Sequence, residues 1–100
     1  MKILIPVILI SLLSFNTHAA IGKERVEYCK NFSELGEALM QARQGGVPIE
    51  EVMVKLLDNS TSRYLLTSSY SYKVYPTDRQ RAIVVRDFKE LMMLQWLRSF

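Results

Sequence analysis

The chain has 100 residues, with 13 Lys and Arg against 10 Asp and Glu, a net charge of +3, one histidine and one cysteine. So small a charge excess argues against a nucleic-acid binder, and a lone cysteine excludes an intramolecular disulfide. The length suits one small domain.

The first element reads as a secretory signal. Lys2 precedes the apolar run "ILIPVILISLLSF", and "NTHA" then places Thr17 and Ala19 at the small-residue positions that signal peptidase reads. Cleavage is expected after Ala19, leaving residues 1–19 as the signal and residues 20–100 as a single helical domain. The competing reading is an uncleaved anchor, but Ile3 to Phe15 holds 13 residues, whereas a helix needs about 20 to cross the hydrocarbon. Lipidation is not expected, because Cys29 lies ten residues beyond Ala19 and follows Val-Glu-Tyr rather than small residues. The expected destination is the periplasm, otherwise the secreted space.

Cleavage removes His18, so the mature chain lacks an imidazole for triad, general-base or zinc-ligand duty. It also removes Lys2, leaving 12 basic residues against 10 acidic ones. Their distribution is uneven: Ala20 to Ser62 carries five basic and seven acidic residues, and Arg63 to Phe100 seven and three.

The mature chain begins with a helical pattern over Lys23 to Gln44. Val26, Cys29, Phe32, Leu35, Leu39 and Ala42 recur at spacings of three and four, with Glu27, Lys30, Glu34, Glu37 and Arg43 largely opposite. Gly45-Gly46 supplies the stop, since glycine enters the left-handed conformation without a Cβ penalty. Pro48 suits the first position of a second, short helix, with Glu50 and Glu51 near its positive end. Val52, Met53, Leu56 and Leu57 are its expected buried face. "DNSTS", Asp58 to Ser62, reads as a polar loop.

The segment "RYLLTSSYSYKVYP" fits two patterns. Tyr70, Tyr72 and Val74 alternate with Ser71 and Lys73 as in a strand, and the only pairing candidate is Ala82 to Val85. Thr77 followed by Gln80 resembles a capping box, however, and Val84, Val85, Phe88, Leu91, Met92 and Trp96 follow helical spacing from Asp78 to Arg98. The hairpin then loses its second strand, and helix is favoured for Leu65 to Val74. The expected fold is all-α, a small bundle of three to four helices.

Cys29, "ALMQARQGGVPIEEVM", "YKVYP" and the closing amphipathic helix together resemble a group of small exported bacterial proteins of unknown function. The resemblance covers most of the mature chain and implies a small helical, periplasmic domain without implying an activity. It also implies a second cysteine near the C-terminus tying the last helix to the first. Here that region reads "LMMLQWLRSF", so the clamp is absent.

Two readings of Cys29 stay open. It is either a small hydrophobe on a helix stripe or the site of an intermolecular disulfide. A redox or catalytic role has neither a CxxC motif nor a histidine to support it. Glu24, Glu27, Glu34 and Glu37 contain spacings that could pair carboxylates, but interleaved Lys23, Arg25 and Lys30 mark a solvated face. No EF-hand, phosphate loop or H-x-E motif occurs, so no cofactor, metal or enzymatic activity is expected.

The remaining candidates are surfaces. Tyr64, Tyr70, Tyr72 and Tyr75, beside Arg63 and Lys73, form the densest aromatic cluster and suit either a protein interface or completion of the core. The last helix sets Arg79, Arg81, Arg86, Lys89 and Arg98 beside an apolar end. There Leu91, Met92, Met93, Leu94, Trp96, Leu97 and Phe100 wrap beyond one stripe. Arg86, Met93, Trp96, Leu97 and Phe100 join the tyrosines as expected interface residues. The expected function is binding to a protein, a second copy included. The alternative is a membrane-active protein whose basic amphipathic helix lies on anionic lipid.

Overall fold

The computed structural model describes residues 21–99; the expected signal and Phe100 lie outside the described residues. Among the described residues four helices follow one another: α1 (Lys23–Gln44), α2 (Ile49–Met53), α3 (Ser60–Tyr70) and α4 (Asp78–Arg98). No strand occurs among the described residues, so the all-α expectation holds and the hairpin does not form.

The helix ends follow from local chemistry. At the end of α1 the Gly46 amide donates to the Arg43 carbonyl at 3.1 Å and the Val47 amide to the Ala42 carbonyl at 3.0 Å. Gly46 takes φ 79°, the left-handed conformation that this double closure requires. The helix runs into a short link and Pro48, which sits at the N-cap of α2 rather than inside it, with extended ψ 144°. Asn59 caps α3 by accepting from the Ser62 amide at 2.8 Å. Thr77 caps α4 by accepting from the Gln80 amide at 3.1 Å. Gln80 answers through its side chain, whose Oε1 takes a hydrogen bond from the Thr77 hydroxyl at 3.1 Å.

Three expectations need correction. α3 starts inside the segment read as a polar loop, because Asn59 is a strong N-cap that commits Ser60 onward to helix. It also ends at Tyr70, so Tyr72 and Val74 belong to an irregular connection instead of a helix. α2 stops at Met53, which breaks its apolar period: Ile49, Val52 and Leu56 pack against the core, while Met53 and Leu57 are exposed.

The core consists of Leu39 and Met40 from α1, Leu65 and Leu66 from α3, and Val85, Phe88 and Met92 from α4. The most extensive helix pairing is α1 with α4, and α2 and α3 pack on α1 as well. Thus α1 is the central helix. Its buried face is Cys29, Ser33, Gly36, Leu39, Met40 and Gln44, shifted from the expected stripe toward small residues. A Cβ at Gly36 would lie 3.0 Å from Met92 Cγ and 3.3 Å from Phe88 Cε2, so the absence of a side chain lets α4 approach closely. Val26, expected in the stripe, is exposed.

Candidate functional site

The two ends of the bundle differ in chemistry. At one end, the last residues of α1 hold the connection between α3 and α4 by its backbone. Arg43 Nε donates to the Tyr72 carbonyl at 2.7 Å, and Gln44 Nε2 donates to the Lys73 carbonyl at 2.8 Å. Gln44 Oε1 accepts from the Tyr75 amide at 2.9 Å, and Arg81 Nε donates to the Tyr75 carbonyl at 2.7 Å. Gln44 is buried, and its amide does the work a neighbouring strand would otherwise do for an extended segment. The "RQGG" and "YKVYP" stretches are therefore in direct contact.

Three of the four candidate tyrosines sit here with structural partners. The Tyr70 hydroxyl donates to the Val47 carbonyl at 2.8 Å, with the Arg43 guanidinium 5.4 Å from its ring centre. Burial pushes this phenol above the ordinary tyrosine range, while Arg43 opposes the shift and Glu51 adds to it. Tyr72 meets Phe88 edge to face, with centroids 5.5 Å apart. Lys73 Nζ lies 4.9 Å from the ring centre of Tyr75.

Tyr64 goes to the opposite end, where the first turns of α1 and α3 meet the last turns of α4. Its ring stacks on Phe32 at 6.4 Å and 17°, and its hydroxyl donates to Gln95 Oε1. Between these helices and the connection before α3 lies a groove of about 840 Å³, within the range of small-ligand sites. Tyr28, Phe32, Tyr64 and Trp96 supply its aromatic surface. Asn31, Asn59 and Gln95 supply amides, and Thr61, Ser62 and Ser99 supply hydroxyls. Leu35 and Leu57 complete the lining.

Cys29 is buried beside this end, with its thiol directed at the Met93 carbonyl at 4.0 Å. That is the environment of a small hydrophobe, and a bridge to another chain would require α1 and α4 to part here. Met93, Leu94 and Leu97 are exposed on the outer side of α4, and Trp96 is half-buried. Arg86 is exposed and pairs with its neighbour Asp87 at 3.3 Å, a contact of little energetic weight. Glu24, Glu27 and Glu34 are solvent-facing, and Glu37 pairs with Lys89 at 3.6 Å.

Among the described residues there is no group of three or more His, Cys, Asp or Glu side chains placed to hold a metal ion. No helix among them is long and apolar enough to cross a membrane. The amides of the groove escaped sequence reasoning, because Asn31, Asn59 and Gln95 are far apart in the chain and no single motif joins them. Asn59 carried a signal as a capping residue before a helix. The fold and this end together define a small α-helical protein with an aromatic, uncharged groove. Comparison with protein-family models, curated proteins and solved structures finds no match for this chain.

Proposed function

We propose that this is a small exported helical protein that acts by binding, and that its partner is a protein surface, a second copy of itself included. The observation that supports this reading is the exposure of Met93, Leu94 and Leu97 on α4. Met93 and Leu97 are one helical turn apart. The contacts of Cys29 with Met93 and of Glu37 with Lys89 run α1 antiparallel to α4, which brings the exposed Val26 level with the last turn of α4. An aliphatic edge of this kind gains free energy when covered, at about 25 cal/mol for each Å² removed from water. Catalysis has no part in this reading, since the sole histidine leaves with the expected signal.

The test combines localisation with association. Mass spectrometry of protein recovered outside the cytoplasm should give a chain starting at Ala20. Sedimentation over a range of concentrations, or capture of a discrete partner, should show a complex that Leu97→Glu weakens without changing the helical circular dichroism. Protein that is monomeric throughout and indifferent to Leu97→Glu refutes the proposal. Salt-sensitive co-sedimentation with anionic vesicles, lost in Leu97→Glu, would assign the same edge to lipid instead.

A further inference from the structure

We propose that the groove between α1, α3 and the end of α4 is a binding site for a neutral glycan, a short run of uncharged pyranose units. The inference concerns a different surface from the aliphatic edge of α4 and does not depend on it. Its starting point is charge. Nearly one residue in four of this chain is charged, yet none of the twelve that line the groove is. An anionic ligand would meet no cation there, and a cationic one no carboxylate.

The lining also discriminates among neutral ligands. Asn31, Asn59 and Gln95 interrupt the aromatic surface, and an acyl chain laid across it would strip water from their amides while offering no hydrogen bond in return. A helical peptide offers those amides no backbone group, since its own are already paired, and a peptide that adds as a strand needs an edge that the described residues do not have. A sugar chain has neither problem. Its hydroxyls donate and accept around the whole ring, and its C–H faces lie flat on aromatic rings.

Local hydrogen bonds leave the amides ready for that use. The Tyr64 hydroxyl occupies the acceptor oxygen of Gln95, and the Ser62 amide occupies that of Asn59. Each amide NH₂ remains as a donor toward a hydroxyl oxygen. Tyr28, 66% exposed, offers the most accessible ring in the lining, and its removal should leave the core intact.

Trp96 is the only tryptophan in the chain and lines the groove, so its fluorescence reports on the site directly. The protein as recovered from its cell should be titrated with cellotetraose and chitotetraose, and in parallel with a galacturonate tetramer, laurate and an uncharged peptide. One or both neutral tetrasaccharides should shift Trp96 emission saturably at concentrations below about 1 mM. Tyr28→Ala should weaken that response about tenfold, the loss of one stacking ring, with unchanged circular dichroism. In ¹H–¹⁵N spectra the side-chain NH₂ signals of Asn31, Asn59 and Gln95 should move with the same titration, which covers a ligand that leaves Trp96 emission unaltered. The proposal is overturned if neither tetrasaccharide moves Trp96 or the amides, if only laurate, the galacturonate or the peptide does, or if Tyr28→Ala binds as tightly as the parent.

Discussion

Gln44→Leu tests whether one buried amide organises the connection between α3 and α4. Leucine is close in size, so the substitution removes both hydrogen bonds to the connection, and a weak one to Met40 Sδ at 3.6 Å, without opening a large cavity. The two strong bonds go to the Lys73 carbonyl at 2.8 Å and from the Tyr75 amide at 2.9 Å. Each contributes about 0.5–1.5 kcal/mol net, and a buried group left unpaired would cost more. Lys73 is exposed and Tyr75 half-buried, so water can replace the lost partners and the estimate stays near the sum of two ordinary bonds, about 1–3 kcal/mol. Against a total stability of about 4–12 kcal/mol for a domain of this size, that loss is plain in a urea or guanidinium titration. Hydrogen exchange supplies a residue-specific check: the Tyr75 amide should lose protection, while amides in the middle of α1 change only as far as global stability falls. A variant within about 0.5 kcal/mol of the parent, with the Tyr75 amide still protected, would refute the assignment.

Three further outcomes follow from the packing. Gly36→Val should destabilise by more than about 2 kcal/mol in denaturant unfolding, because the first added carbon already meets Met92 and Phe88 and overpacking outweighs valine's better helix propensity; a neutral result would mean α4 can shift outward freely. Tyr70→Phe removes the donor to Val47 and should cost about 0.5–1.5 kcal/mol at neutral pH. Since burial raises the folded-state pKa of Tyr70, the parent binds its phenolic proton more tightly than the unfolded chain does. That contribution is complete below the ordinary tyrosine pKa and is lost as pH rises through the raised one, so parent and variant stabilities measured at successive pH values should converge above about pH 10. Constant separation between the two curves would contradict it. Cys29, buried under α4, should react with a thiol reagent slowly in the native protein and fast in denaturant, and fast native labelling would place the thiol at the surface.

Elements whose cause is local were legible in the sequence. α1 and α4 have the limits that periodicity, the Gly45-Gly46 stop and the Thr77 cap imply, since these signals act within a few residues of where they stand. The start of α3 was not legible because Asn59 and the serines after it look like loop residues until a cap turns them into a first turn. The residues after Tyr70 were ambiguous because they are neither helix nor strand; the backbone of Tyr72, Lys73 and Tyr75 is held by the side chains of Arg43, Gln44 and Arg81. A pattern of apolar residues carries no trace of such pairing.

The candidate site divides in the same way. A surplus of apolar residues near the C-terminus was visible, because counting them against one helix stripe needs no coordinates, and Met93, Leu94 and Leu97 are indeed exposed. The tyrosines looked like one cluster only because they are close in sequence. α3 separates them, carrying Tyr64 to Phe32 and Gln95 and leaving Tyr70 with Val47 at the other end.

The order of side chains along the chain determined by itself that this protein is built of helices, where the two long ones, α1 and α4, begin and end, and that intramolecular disulfide chemistry is closed to it. Those properties depend on neighbours within a turn or two and on residue counts. Tertiary structure alone decided that Gly36 lets α4 approach α1 closely, that α1 is central, and that three amides and four rings from three helices and a connection share one uncharged groove. Such outcomes depend on how helices cross, and a crossing is set by the shapes of two surfaces at once.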